Sequence, residues 1–175
     1  MKRFMKKIGK KWKWKILILL YLCFIYGNSL TPAVVSSKES GYFLIKIQSF
    51  LSGMGIDAWW LTEHMVRKAA HFTEYAGLGC LLAMNTGAGL APVFCLLKEN
   101  LTAVFGMPFI DETIQLFVEE RSGQISDVWL DMAGIFTGIL LTACLVKIVG
   151  KILKKGEKTL SGSERSLNRR NDDEL

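Results

Sequence analysis

Ionisable side chains occur inside stretches of this chain that are otherwise apolar enough to lie in a membrane. They are His71, Glu74, Asp111, Glu112 and Asp131, with Asp127 at the entrance of the last stretch. An ionised group at the centre of a bilayer costs about 2.5–3.5 kcal/mol on insertion scales, so each of them needs a partner, a proton or water. Residues that carry this cost are the first candidates for a functional site.

The candidate residues share helical faces, because residues three, four and seven positions apart lie on one side of an α-helix. In the order of three successive apolar stretches they are Lys68, His71, Glu74 and Tyr75, then Asp111, Glu112, Gln115 and the following Arg121, and then Asp127 and Asp131. If these stretches cross a membrane in alternating directions, all three groups lie in its outer half. The spacing therefore predicts a single polar cluster.

Two interpretations of the aspartates are open. In the structural one, Asp127 caps the last helix and Asp131 pairs with Arg121 or Lys68 to hold the bundle together. In the functional one, both carboxylates belong to the site.

His71 and Glu74 also have two interpretations. In one, each side chain makes an interhelical hydrogen bond. In the other, the two form a general-base pair, since a carboxylate beside an imidazole orients it and raises its basicity. A metal site from His71, Glu74, Asp111 and Glu112 is chemically possible, but the apolar stretches hold one histidine and no His-Glu-x-x-His spacing. We predict no metal and no cofactor, and no catalytic residue is assigned.

The elements that must position these residues are helices. Four stretches have the composition of membrane spans, at about 14–30, 69–88, 101–118 and 128–149. Pro108 is expected to kink the third. The segment 31–67 is too polar to span and is expected to form an extracytoplasmic amphipathic helix with a break at 52–55. The sequence predicts an all-α integral membrane helical bundle with about four transmembrane helices.

Close packing of these helices is expected at small residues. Gly79, Gly134 and Gly138 stand on the second and fourth stretches, the last two in a Gly-x-x-x-Gly spacing. Such residues leave smooth surfaces that let helix backbones approach each other.

Basic residues gather at both ends of the 175-residue chain. Sixteen of the 22 Lys and Arg lie in residues 1–15 or from Lys147 onward. Basic flanks resist translocation and favour anionic headgroups, so both termini are expected in the cytoplasm. We predict a cytoplasmic basic segment at 1–15, a transmembrane domain at 16–150 and a disordered cytoplasmic tail at 151–175. No recognition motif accompanies the basic residues, so no nucleic-acid partner is expected.

Four blocks of residues carry a resemblance to a known family. They are Arg67-Lys68-x-x-His71-Phe72-x-Glu74-Tyr75, Asp111-Glu112-x-x-Gln115, Arg121-Ser122-Gly123, and Asp127-x-x-x-Asp131-x-x-Gly134-x-x-x-Gly138. In this order they resemble the VanZ family. The resemblance implies a multi-pass bacterial cell-membrane protein associated with lowered susceptibility to teicoplanin, a glycopeptide antibiotic. Val118-Glu119-Glu120 departs from the family, where a Pro-Gly turn is common before the arginine.

Three functions are compatible with these features. The leading one is binding of an amphiphile of the cell envelope, in which Lys68 and Arg121 hold a phosphate or carboxylate. The partners would be membrane lipids, a lipid-linked cell-wall precursor or a lipoglycopeptide. The alternative is an enzyme acting on an envelope lipid or glycan through His71, Glu74 or Asp111, but no nucleophile is evident beside them. Proton transport is disfavoured, because no acid lies in the inner half of the predicted spans.

Overall fold

The computed structural model describes residues 2–88, 92–121 and 123–173, and the side chains of 12–88, 92–121, 123–153 and 155. This part of the chain forms six α-helices and no strand, so the predicted all-α class is confirmed. The helices are α1 (Lys2–Ser29), α2 (Ala33–Gly53), α3 (Glu63–Thr86), α4 (Val93–Glu99), α5 (Leu101–Gln115) and α6 (Ile125–Asp173).

Helix α2 turns away from α1 by 101°. Pro32 stands between them and precedes the first turn of α2, where a proline cannot continue the hydrogen bonding of α1. The predicted break at 52–55 is present, since α2 ends at Gly53. Gly55 follows with a φ of +79°, a left-handed conformation that favours glycine. The Gln48 side chain donates to the carbonyls of Ala58 and Leu61, both at 3.3 Å, and so fastens the following loop to α2.

Helix α3 has clear start and stop signals. The Thr62 hydroxyl accepts a hydrogen bond from the Met65 backbone N–H at 3.3 Å, which caps the first turn. At the other end Gly87 has a φ of 94°, and the N–H groups of Gly87 and Ala88 both donate to the Ala83 carbonyl. Helix α3 begins at Glu63, whereas the predicted span starts at residue 69.

The third predicted span is preceded by a further helix that the sequence did not indicate. Helices α4 and α5 meet at Asn100 with a bend of 50°. The buried Asn100 amide donates to the Leu96 carbonyl at 2.7 Å and to the Thr86 hydroxyl at 3.3 Å, which fixes the bend. Pro108, which was predicted to kink the third span, lies inside α5. The 50° bend between α4 and α5 lies at Asn100.

Helix α6 continues well past the predicted span and reaches Asp173. Residues 151–173, where the sequence predicted a disordered tail, are helical, while residues 174 and 175 lie outside the described chain. The predicted domain bounds stay a prediction. A helix that is already nucleated in the bundle extends at little cost through Lys, Leu, Glu and Arg, which have high helix propensity.

By length and composition, one described helix is able to cross a membrane by itself, Ile125–Leu153. Two bent pairs, α1 from Trp12 with α2 and α4 with α5, qualify when each pair is counted as one span, which gives up to three. Helix α3 is not among these candidates because its apolar sequence is interrupted by His71 and Glu74. The count of four spans stays a prediction.

The core lies where α3 crosses α6. Tyr75, Leu78 and Leu82 of α3 pack with Ile135 and Ile139 of α6 in one buried cluster. The outward faces are also apolar, and the large side chains exposed there include Phe109, Phe117, Trp129 and Leu145. Extended apolar surface of this kind is typical of a protein that meets lipid.

Candidate functional site

Four helix ends meet at one end of the bundle and carry its polar residues. They are the C-terminal ends of α1 and α5 and the N-terminal parts of α3 and α6. The helices alternate in direction, so residues far apart in the chain lie at one level. This arrangement brings the predicted groups together.

Lys68 on α3 pairs with Asp127 on α6. The Lys68 Nζ donates to Asp127 Oδ1 at 2.7 Å. Asp127 lies in the first turn of α6 rather than at its cap, where its negative charge also interacts favourably with the helix dipole. The pair ties together the two helices that form the core.

Glu74 is held by α1. Its Oε1 accepts a hydrogen bond from the Asn28 side-chain amide at 2.8 Å, and the Tyr21 hydroxyl donates to the Glu74 carbonyl at 3.1 Å. The structure therefore places the Glu74 carboxylate with Asn28 of α1 instead of with His71.

Glu112 closes the connection between α5 and α6. Its Oε1 accepts from the Gln115 side chain at 3.2 Å, and its Oε2 accepts from the Gln124 backbone N–H at 2.9 Å. Gly123 packs against the same turn, and a Cβ there would lie 2.7 Å from the Glu112 carbonyl oxygen. A residue with a side chain would not fit at position 123 without movement of the backbone.

His71, Asp111 and Asp131 form the deepest part of the site. His71 Nδ1 lies 4.0 Å from Asp111 Oδ2. One ligand atom from each of the three residues lies within 4.8 Å of the other two. The interpretation of Asp131 as a partner of Arg121 or Lys68 is wrong, since neither of its oxygens has a hydrogen-bond partner among the described residues.

Tyr75 and Ser29 complete the surroundings of Asp111. Both hydroxyls lie beside this carboxylate, but they do not reach it with hydrogen-bond geometry. Asp111, Tyr75 and Ser29 are all fully buried, and Asp131 is 1% exposed. Buried polar groups are normally paired, so this group of unpaired atoms calls for a partner.

A polar pocket of about 90 Å³ lies above His71 and Asp131, between α3, α6 and the loop 116–124. Arg67 and Arg121 line it beside the Lys68–Asp127 pair. The Arg121 Nη2 donates to the Asn28 carbonyl at 3.4 Å, and the Arg67 Nη2 lies 3.4 Å from His64 Nδ1. In the part of the chain that is described, neither arginine has a carboxylate oxygen within 4.0 Å.

Arg121 is held in a position that disfavours its charge. Burial lowers the pKa of its guanidinium below the ordinary value, and the positive charge of Arg67 lowers it further. The negative charges of Asp111, Glu112 and Glu74 act in the opposite direction on this pKa. The two arginines face one pocket and repel each other there.

A family model for VanZ/LLP1 matches residues 14–147. The chain belongs to the VanZ/LLP1 family. Comparison with curated proteins and with solved structures gives no match. The matched region contains all four helix ends that form the site, so the pocket belongs to the family domain.

The glycines of this VanZ/LLP1 chain lie where α3 meets α6. A Cβ on Gly134 would be 2.7 Å from the Phe72 carbonyl oxygen, and a Cβ on Gly79 or Gly138 would overlap the backbone of Ile135 or Ala76. The close approach of the two helices lets His71 and Asp131 share one site.

Four residues of the site were not selected from the sequence. Asn28 and Ser29 come from α1, and His64 and Arg67 come from the start of α3. Arg67 was within the motif of the resemblance, and its position one turn before His71 was a usable signal. Asn28 and Ser29 carried only the weak signal of polar residues that follow an apolar run. Ser122 lies outside the described residues.

Proposed function

We propose that this protein binds the anionic headgroup of an envelope amphiphile between Arg67 and Arg121, and that this binding lowers the access of lipoglycopeptides such as teicoplanin to their target. The observation that carries the proposal is a pair of arginines that line one pocket and have no carboxylate oxygen within 4.0 Å among the described residues. A guanidinium presents two parallel N–H donors that match a phosphate or carboxylate. A bound anion would also relieve the repulsion between the two side chains.

The size of the pocket fits a headgroup rather than a whole lipid. A volume of about 90 Å³ holds several waters or one phosphate group. Lys68 contributes less than the arginines in this proposal, because Asp127 already neutralises it.

An adjoining groove offers room for an acyl or prenyl chain. It has a volume of about 370 Å³ between α5 and α6 and is lined mainly by apolar side chains, including Phe105, Phe109 and Trp129. Glu112 and Gln124 line both the groove and the polar pocket. An amphiphile would place its charge beside Arg121 and its chain along this groove.

The site is proposed to face the outside of the cell. The basic chain ends lie away from the helix ends that form the pocket, and basic flanks stay in the cytoplasm. Helix α3 would then be the remaining span, with its polar face turned to the pocket and away from lipid. We expect a cysteine introduced by Glu39→Cys in a cysteine-free chain to react with an impermeant maleimide in intact cells, and one introduced by Lys98→Cys to react only after lysis. The reverse labelling pattern would contradict this orientation.

The enzymatic alternative has less support. It requires a carboxylate to orient His71, and Glu74 instead accepts a hydrogen bond from Asn28. Asp111 Oδ2 lies nearer, at 4.0 Å from His71 Nδ1, which is beyond hydrogen-bond distance.

Binding is tested with the full-length protein in detergent by native mass spectrometry. A polyprenyl phosphate and phosphatidic acid are compared with phosphatidylcholine. Arg67→Gln and Arg121→Gln are each expected to weaken binding of the phosphate lipids about tenfold or more, the usual worth of a charge-assisted hydrogen bond. Lys98→Gln, a matched loss of charge at the other end of the bundle, should leave binding unchanged. Equal affinity of the arginine variants and the parent would refute the proposal.

A further inference from the structure

Two buried carboxylates without partners lie under the polar pocket. Asp111 on α5 and Asp131 on α6 are 0% and 1% exposed, and none of their four oxygens has a hydrogen-bond partner among the described residues. A buried carboxylate is retained when it is protonated, paired or bound to a metal. The carboxylates of Glu74, Glu112 and Asp127 are also near Asp131, and their negative charges disfavour an unpaired negative charge on it.

His71 on α3 supplies the third group. Its Nδ1 lies 4.0 Å from Asp111 Oδ2, and one nitrogen and two oxygens of the three residues lie within 4.8 Å of one another. Zinc binds nitrogen and carboxylate oxygen at about 2.0–2.2 Å in a tetrahedron, so its ligand atoms lie about 3.3–3.6 Å apart. The three side chains would have to approach one another by up to about 1 Å to hold one ion.

We propose that His71, Asp111 and Asp131 bind a divalent transition-metal ion, with Zn²⁺ as its best representative. One imidazole nitrogen and two carboxylate oxygens are ligands that zinc and manganese accept. The two carboxylates balance the charge of the ion. The hydroxyls of Tyr75 and Ser29 lie beside Asp111, although neither makes a hydrogen bond to this carboxylate.

Three protein ligands leave at least one coordination position free, as in catalytic zinc sites. His71 and Asp131 line the floor of the polar pocket, so the free position opens towards Arg67 and Arg121. An anion in the pocket would be able to bind both the ion and the arginines. The metal site itself does not depend on the proposed headgroup binding, because its ligands lie on different residues.

Residue spacing alone does not indicate this site. The three ligands come from three helices, and His71 and Asp111 are 40 positions apart in the sequence while Asp111 and Asp131 are 20 positions apart. Neither Glu74 nor Glu112, which the sequence suggested as ligands, belongs to the group that the structure brings together. Both carboxylates already accept hydrogen bonds elsewhere.

The test is a Zn²⁺ titration of the full-length protein in detergent after removal of metal with a chelator. Competition with a chromophoric chelator measures affinity, and elemental analysis after dialysis measures stoichiometry. We expect about one ion per chain, and Co²⁺ should give visible absorption bands from the same site. His71→Gln and Asp131→Asn should each weaken binding at least about 10- to 100-fold, which is the range seen even for groups that only support a ligand.

Two matched variants control for nonspecific binding. Glu39→Gln and Asp57→Asn each remove an exposed carboxylate away from the pocket, so both should bind as the parent does. A parent protein that folds, by circular dichroism and gel filtration, but binds no ion would overturn the proposal and would leave the carboxylates to share protons. Equal binding by the parent and both ligand variants would overturn it as well. Loss of metal with intact lipid binding would separate this site from the headgroup pocket.

Discussion

Lys68 Nζ and Asp127 Oδ1 lie 2.7 Å apart and join the N-terminal parts of α3 and α6. Both side chains are about one third exposed at the edge of the pocket. The pair therefore stabilises the packing of two helices while it also limits how freely Lys68 attracts an anion.

This pair should show measurable but modest coupling. Replacing Lys68 or Asp127 by alanine, and then both, is expected to give a coupling free energy of about 0.5–1 kcal/mol, since partly exposed ion pairs contribute little. Unfolding of the four proteins in detergent provides the measurement. Strictly additive effects would show that the contact does not contribute to stability.

The crossing of α3 and α6 should not tolerate a methyl group at Gly138. A Cβ there would overlap the Ala76 carbonyl and lie 2.9 Å from the Cys80 backbone nitrogen. Gly138→Ala is expected to lower the free energy of unfolding by about 1–3 kcal/mol, the usual effect of overpacking. Gly150→Ala is the control on the same helix, because a Cβ there meets no atom within 4 Å. It should be neutral or stabilising by up to about 1 kcal/mol.

Exchanging the donor and the acceptor should preserve the hydrogen bond between Asn28 and Glu74. Asn28→Asp places two carboxylates together and is expected to destabilise the protein by about 1–3 kcal/mol. Adding Glu74→Gln supplies an amide donor to the new carboxylate and should restore most of the loss. Thermal unfolding of the two single variants and the double variant measures this. A double variant no more stable than Asn28→Asp would contradict the contact.

Glu120 should be a strained position. It has a φ of 60°, the left-handed conformation, at the turn where the VanZ family commonly has Pro-Gly. Glu120→Gly is expected to stabilise the protein by up to about 1 kcal/mol, because glycine adopts this conformation without a Cβ clash. Glu119→Gly is the matched control and should be neutral or destabilising. A lower melting temperature for Glu120→Gly would show that its side chain makes a contact worth more than the strain.

Expression in a susceptible Gram-positive host should test the proposed physiological role. We expect the parent chain to raise the inhibitory concentration of teicoplanin more than that of vancomycin, because only teicoplanin of the two carries an acyl chain. Arg121→Gln should remove the effect at equal abundance in the membrane, while Lys98→Gln should not. No change of susceptibility with the parent would leave the family assignment intact and refute the phenotype.

Much of the site's location could be predicted from the sequence, because helical spacing sets both the face and the height of a side chain. Lys68, His71 and Glu74 were expected at the start of one helix, and Asp127 and Asp131 at the start of another. These heights coincide in the structure. The glycines at 79, 134 and 138 likewise lie at the helix crossing, since a glycine pattern on two helices indicates where their backbones can approach.

The sequence by itself determined that the chain is helical, that its ends are basic and that polar residues gather at one level of the bundle. Only the tertiary structure decided which of these residues meet. Lys68 contacts Asp127 and not Asp131, and Glu74 contacts Asn28 and not His71. Asp131 joins His71 and Asp111 and has no cationic partner in the described part of the chain. Spacing along one helix leaves open the rotation of that helix against its neighbours. A rotation of a few tens of degrees changes which of two carboxylates one turn apart faces a given side chain, so the pairs follow from packing.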